Sequence, residues 1–397
     1  MSPPPAAATR WLIALLIALS AVVYGHGFRQ SWLLDADCDM QERLAEYGWF
    51  RQGVYPTRKL EPELPKSVRV PHTVYPPYAL TMYVPYFEPF GKIQGRILIQ
   101  AASLATLAAI AAYGFRCLRP AGIEAAIVGA LAAVAIPGNG TALAVGQFSI
   151  ICVGFVLLQM VLLDRGRPLA AGACWALAML KPQIGLAFAV LFFVRREWRG
   201  LAVGLAMLTG LSLAACWWTE VSPWALVDYW MFRMNMQFAA TTSLSGSIAL
   251  MTGLSPRIVH LGAAVLLLLL VVPLAAVVRN RPAMQADTLF MAAMAGWLGS
   301  VFLYHRAYDH LMMFPLLFVA LVAAATRPTA SNLGIAAALG LSLWTPQKLI
   351  ELLPYELLLR PAIWTACAAA LLVNQARRPE GFQRPEGRES AADSGHG

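Results

Sequence analysis

Hydrophobic residues gather along this chain in long runs separated by shorter polar intervals. Twelve runs stand out, near residues 11–27, 96–115, 121–137, 145–163, 169–181, 183–194, 200–218, 258–278, 287–304, 310–325, 332–345 and 361–374. A lipid-spanning helix takes about 20 apolar residues, and shorter ones are tolerated when packed inside a bundle. The pattern predicts an all-α polytopic membrane protein of about twelve transmembrane helices, with 169–194 folded as a hairpin. Three polar intervals are long and are expected as outer loops: 28–95, 219–256 and 346–360. The first is rich in proline and tyrosine. The second holds "SPWALVDYWMFRMNMQF", an aromatic amphipathic stretch suited to the membrane interface. Residues 377–397 read as a disordered cytoplasmic tail, which leaves 1–376 as a single integral-membrane domain.

Composition agrees with that class. Of 397 residues 59% are hydrophobic and 13% charged, against about a quarter charged in soluble domains. The net charge of +9 does not indicate a nucleic-acid partner, because the basic residues sit singly or in short groups between apolar runs. That arrangement encodes topology. With the N-terminus inside, the short cytoplasmic segments carry 15 basic residues and the opposite side, outside the long first loop, carries six. Both termini are therefore expected inside. The same rule asks for the hairpin, since Arg165 and Arg167 precede it and Arg195, Arg196 and Arg199 follow it. Pro182, in "LKPQIG", is the natural turning point. A single kinked helix over 169–194 is the alternative, and it would invert everything downstream. The run Trp11–Tyr24 resembles a signal peptide but lacks a convincing cleavage site, so a retained first helix is expected.

The candidate chemistry lies in the polar intervals. Asp35, Asp37 and Asp39 fall within five residues of "LLDADCDMQERL". Asp39 and Glu42 have capping-box spacing, and Gly53 supplies a stop, so a helix over 40–52 is predicted. Asp39 is either only a cap or a carboxylate that also faces a site. "HTVYPPYALTMYVPYFEPFG" carries Tyr75-Pro76-Pro77 and reads as an interfacial belt or as a wall for a lipid chain or sugar face. Gln147 opens a span after Gly146. Lys181 is the only lysine inside an apolar run; such charges are costly and usually face a cavity, although snorkelling is the alternative. "YHRAYDHLMMFP" gathers His305, Arg306, Asp309 and His310, which suit a phosphate group or form an ordinary polar turn. Two histidines and an aspartate invite a metal, but no ligand pattern supports one, and no cofactor is expected. The six cysteines lack paired spacing and read as small core residues. Neither a P-loop nor a dinucleotide fingerprint nor a nucleophile elbow is present.

These residues together resemble the polyprenol-phosphate-sugar-dependent glycosyltransferases of the GT-C superfamily, and most closely glycosyltransferase family 87. The likeness rests on Asp39, Gly53, Tyr55 and Tyr75-Pro76-Pro77, then Gly146-Gln147, Arg165-Gly166-Arg167, Ala171-Gly172, Lys181-Pro182, and Tyr308-Asp309-His310 through Pro315. The sequence departs from the pattern after Asp39, where Met40 is followed by Gln41 and Glu42. The resemblance implies a GT-C-like bundle whose long first outer loop carries short amphipathic helices. It implies a mannosyltransferase-like enzyme moving a hexose from a polyprenyl-phosphate donor to a lipid or glycan acceptor. Asp39 would be the general base, with Asp37 in reserve. Tyr75, Gln147, Lys181, His305, Arg306, Asp309 and His310 would bind donor phosphate or acceptor. The setting implied is the bacterial cytoplasmic membrane, with the active site on the outer side. A multi-pass transporter or lipid-linked-sugar flippase is the competing reading. Convergence of Asp39, Lys181 and His305 in one place favours transfer, whereas a polar path through both faces favours transport.

Overall fold

The computed structural model describes residues 6–33, 38–57, 73, 75–88, 92–229, 252–279, 287–303, 305–352 and 356–376. Among them the chain is helical and contains no strand. Asp37 and the tail 377–397 lie outside the described residues, as does all of the 219–256 loop beyond residue 229 except its last few residues.

All twelve apolar runs fall on helices. The first is α1 (Ala6–Leu33). After it come α2 (Cys38–Arg51) and α3 (Pro77–Phe87), then α4 (Lys92–Leu118), α5 (Ile123–Val134), α6 (Gly138–Val145) and α7 (Ser149–Asp164). The middle of the chain holds α8 (Pro168–Ala178), α9 (Pro182–Gly185), α10 (Val190–Arg195) and α11 (Trp198–Thr219). The remainder is α12 (Pro256–Arg279), α13 (Thr288–Phe302), α14 (Phe314–Thr326), α15 (Ala330–Trp344), α16 (Gln347–Ile350) and α17 (Glu356–Ala376). By length and composition four helical stretches among the described residues can cross a membrane, or five if the pair α5–α6, bent by 44°, counts as one. Five other apolar helices are only 10–17 residues long. Many runs thus fold as short or broken helices, which is tolerated where the exposed backbone is buried in protein.

The hairpin is one of these. Arg195 donates to Asp164 at 3.1 Å, so the end of α10 lies beside the end of α7. A Cβ on Gly200 would stand 2.5 Å from the Pro168 carbonyl, which places the starts of α8 and α11 at that same end. The chain therefore goes out along α8 and returns along α9–α10, as the charge pattern asks and against a single kinked helix. Lys181 sits at the tip, extended before Pro182 as pre-proline residues are. The return leg breaks into a 3₁₀ turn at Leu186–Ala189. Inside the bundle Gln159 of α7 donates to the Phe188 carbonyl at 3.0 Å, and Trp175 of α8 donates to the Gly185 carbonyl at 2.9 Å. These bonds satisfy groups that the broken helix leaves open.

Helix crossings are close where glycines face backbone. A Cβ on Gly114 would lie 2.3 Å from the Gly129 carbonyl oxygen, and one on Gly172 would lie 1.9 Å from that of Gly200. Small residues at such crossings let helices gain van der Waals contact where lipid offers no hydrophobic drive.

One end of the bundle gathers the polar intervals. There Arg96 of α4 donates to the Ser31 carbonyl of α1 at 3.0 Å, and Trp218 of α11 donates to the Phe50 carbonyl of α2 at 2.6 Å. The opposite end holds the Arg10–Glu124 pair at 3.1 Å and the Asp164–Arg195–Thr288 cluster. The α2 helix begins two residues before its predicted start. Asp39 lies in its first turn rather than at the N-cap. Glu42, expected as the capping partner, is exposed and accepts from Arg43 at 3.0 Å. Gly53 supplies the stop as expected, with φ +78° and its N–H on the Phe50 carbonyl at 3.0 Å.

Candidate active site

The start of α7 organises the polar end. The turn before it carries Gly146, with φ +71°. A Cβ at Gly146 would meet the Met40 Cβ at 2.6 Å. Glycine is thus required twice, for the left-handed backbone and for contact with α2. That contact brings Gln147 beside Asp39, and the Gln147 amide Nε2 donates to Asp39 Oδ2. Gln147 Oε1 accepts from the Tyr75 hydroxyl at 3.4 Å. Among the described residues Asp39 Oδ1 makes no hydrogen bond, and the residue is half-buried.

The inner face of α2 continues with Arg43 and Glu46, four and seven residues after Asp39, on the same helical stripe. Their ion pair measures 2.8 Å, and both side chains are nearly fully buried. The Arg43 guanidinium lies 4.6 Å from the Tyr75 ring centroid, in cation–π geometry. Burial alone disfavours the Arg43 charge, but Glu46 and the neighbouring tyrosines and Glu42 outweigh it and hold the pKa above its usual value. Burial pushes the Tyr75 hydroxyl well above the ordinary phenol range; Arg43 opposes this, while Asp39 and Asp309 add to it. Both carboxylates are therefore within electrostatic reach of one hydroxyl.

The aromatic segment folds as α3, because Pro77 presets the first helical turn. Its rings turn inward onto Phe148, the residue after Gln147. Tyr83 stacks on Phe148 at 5.6 Å, and Tyr86 meets it edge-on at 5.2 Å. Tyr75 in turn meets Tyr83 at 6.1 Å. These rings form a wall behind Gln147, within the protein.

Two residues beyond Gln147 a second network begins. Ser149 Oγ donates to Asp309 Oδ1 at 2.6 Å, and Lys181 Nζ donates to Asp309 Oδ1 at 2.8 Å and to Ser149 Oγ at 2.6 Å. The Lys181 and Asp309 side chains are 1% and 0% exposed. Asp309 Oδ2 accepts the Arg306 backbone N–H at 3.1 Å, closing the turn over 305–309. That turn also rests on α6, where a Cβ on Gly138 would stand 2.1 Å from the Ala307 carbonyl oxygen. Arg306 is exposed. His305 and His310 are buried, 5.4 Å apart between ring centroids, and both pack on Trp364 of α17. Burial holds His305 below the usual imidazole range, with Asp309 opposing, so the ring is neutral near pH 7.

The structure thus brings Asp39, Tyr75, Gln147, Lys181, Asp309 and the 305–306 turn to one end of the bundle. Asp37 falls outside the described residues. Arg43, Glu46 and Ser149 belong to the same assembly and were not singled out by sequence reasoning. The i, i+4, i+7 spacing from Asp39 was a signal for the first two; Ser149 carried none. Among the described residues no group of three or more histidine, cysteine or acidic side chains is placed to hold a metal ion.

A helical membrane protein with a carboxylate, an amide, a buried ion pair and an exposed arginine at one end has the parts of a membrane-embedded group-transfer enzyme. The model of glycosyltransferase family 87 matches residues 73–304, more than half of the chain, and the chain belongs to that family. Its activity class is accordingly glycosyl transfer. GT-C superfamily membership fits the fold. No curated protein and no solved structure matches the chain. The matched segment contains Tyr75, Gln147, Ser149 and Lys181, whereas Asp39 and Asp309 lie on either side of it. The folded chain returns both flanking carboxylates to the matched segment.

Proposed function

We propose that this protein transfers a hexose, with mannose favoured, from a polyprenyl-phosphate donor to a lipid or glycan acceptor at the outer face of a bacterial cytoplasmic membrane. Asp39 is the general base. One observation carries the assignment. Of the three carboxylates at the site, Asp309 is fully buried with both oxygens engaged, Glu46 is almost fully buried against Arg43, and only Asp39 is partly exposed, with its Oδ1 without a hydrogen-bond partner among the described residues. The bond from Gln147 holds the other oxygen and so fixes the direction in which the carboxylate faces a substrate.

In the proposed step the acceptor hydroxyl proton passes to Asp39 Oδ1. The acceptor oxygen forms a bond to the anomeric carbon as the bond from that carbon to the phosphate oxygen breaks. The configuration inverts, and polyprenyl phosphate leaves. This leaving group needs charge stabilisation more than a proton, and Arg306, exposed at the site, supplies it. The neutral His305 beside it offers polarity without charge. Convergence of Asp39, Lys181 and His305 at one end of the bundle supports transfer over transport, which calls for ionisable groups along a path through both faces. The basic residues concentrated at the opposite end support an outward-facing site.

The test is lipid-linked glycan and glycolipid profiling of a deletion strain complemented with Asp39→Asn. The expected outcome is loss of the product with protein level, unfolding midpoint and polyprenyl-phosphate binding retained. Product formation by that variant would remove Asp39 from the role of base.

A further inference from the structure

Lys181 looks from sequence like a ligand for the donor phosphate, and its surroundings point elsewhere. An ammonium has three N–H directions. Asp309 at 2.8 Å and Ser149 at 2.6 Å take two, and the Tyr308 ring lies under the group at 4.6 Å. The side chain is 1% exposed. Asp309 is equally committed: Oδ1 accepts from Lys181 and Ser149, and Oδ2 accepts from the Arg306 backbone.

We propose that Lys181, Asp309 and Ser149 form a buried positioning junction that acts on substrate only through its neighbours. The junction ties three segments at one point. These are the tip of the α8–α10 hairpin, the start of α7 two residues after Gln147, and the turn that presents His305 and Arg306. Residues two apart along the chain lie within about 7 Å, so the junction and the Gln147–Asp39 bond share one rigid support. Its role is to fix the distance between the end holding Asp39 and the end holding Arg306. That function rests on the glycosyl-transfer reading above; the ion pair itself does not.

A buried pair and a phosphate ligand respond oppositely to removal of both charges. Losing one partner strands a buried charge, whereas losing both removes the penalty. Lys181→Met, Asp309→Asn and the double variant are therefore compared in the full-length protein. Asp309→Asn is chosen because its amide oxygen can still accept the Arg306 N–H. Three readouts are taken: the unfolding midpoint, the affinity for polyprenyl phosphate, and product output in the complemented deletion strain at matched protein level. Lys181→Met should lower the midpoint by about 5–10 °C and output by about 100-fold. The double variant should regain most of the midpoint and about tenfold in output. It should stay about tenfold below the parent in output, with affinity within about twofold.

A double variant as unstable as Lys181→Met would overturn the paired junction. A tenfold loss of polyprenyl-phosphate affinity in both Lys181 variants would make Lys181 a phosphate ligand instead. Parental output from the stable double variant would reduce the junction to a structural element with no positioning role. A deletion strain with an unchanged lipid-linked glycan and glycolipid profile would sink the proposed transfer separately, while the midpoint and affinity comparisons still judge the junction.

Discussion

Substituting Gly146 by alanine tests how the site is assembled. The left-handed backbone at φ +71° costs a residue with a Cβ about 1–2 kcal/mol. The added methyl would lie 2.6 Å from the Met40 Cβ, closer than real Cβ atoms approach. Met40 is completely buried and sits on a helix, so it cannot swing away. Overpacking of this kind costs about 1–3 kcal/mol. The sum, about 2–5 kcal/mol, corresponds to a fall of roughly 4–10 °C in the unfolding midpoint for a chain of this size. Function should fall further than stability, because relief of the clash parts Met40 from Gly146 and therefore Asp39 from Gln147. A shift of this order can lower turnover by about 10–100-fold. The assay pairs thermal unfolding in detergent with product output. It includes Gly146→Ala combined with Met40→Gly, which removes the contacted atom, and with Met40→Ala, which keeps it. The first combination should be less damaging than the sum of its parts by about 1–3 kcal/mol, the overpacking cost; the second should be additive. Equal coupling in both, or a Gly146→Ala variant with parental midpoint and output, would refute the contact.

Two further substitutions separate the site from its support. Gly138→Ala places a methyl 2.1 Å from the Ala307 carbonyl oxygen and must displace the 305–309 turn, so output should drop at least tenfold beyond what the midpoint explains. Gln159→Leu deprives the buried Phe188 carbonyl of its donor and should cost about 1–3 kcal/mol. Gln159 lies ten residues along α7 from Ser149, about 15 Å away, so output at a temperature well below the midpoint should stay within twofold.

The helices were legible because lipid leaves the chain few options. Every apolar run became helical, as a backbone without water partners must. Their lengths were less legible. Residues 138–144 fall between two apolar runs, yet Gly138–Val145, "GNGTALAV", forms α6, because the glycines let it pack against α1 and the 307–308 turn. The 75–87 segment read as an interfacial belt or as a wall for a lipid chain or sugar face. Its rings close on Phe148, which lies beyond three intervening helices in the chain, and no local pattern encodes that contact. Site residues were visible where they were locally odd: a carboxylate beside a span, or a lysine within one. Arg43 and Glu46 were hidden in "QERLAEYG", which reads as the polar face of an ordinary amphipathic helix. Only the fold shows that this face is buried. Ser149 had no local oddness at all, and its role depends on Lys181 and Asp309, which reach it from 32 and 160 residues away.

The charges at the site limit where a donor can bind. Lys181 is engaged by Asp309, and Arg43 by Glu46 and Glu42, so neither cation offers a net positive charge to a substrate. In the proposed reaction Asp39 takes up the proton, and Arg306, exposed on the 305–306 turn, is the cation that faces the departing phosphate. Before transfer a polyprenyl-phosphate sugar carries one negative charge as a phosphodiester, and Asp39 carries another. After transfer Asp39 holds the acceptor proton, and the departing phosphate monoester has gained a negative charge. The proposed reaction thus moves one charge from the Asp39 end of the site to the phosphate end. A cation beside the phosphate stabilises that movement, and a cation beside Asp39 would oppose proton uptake by favouring the carboxylate. Gln147, a neutral amide, suits the Asp39 side for this reason, and Arg306 suits the other. The phosphate should therefore bind against the 305–306 turn, and the acceptor hydroxyl should lie between it and Asp39 Oδ1.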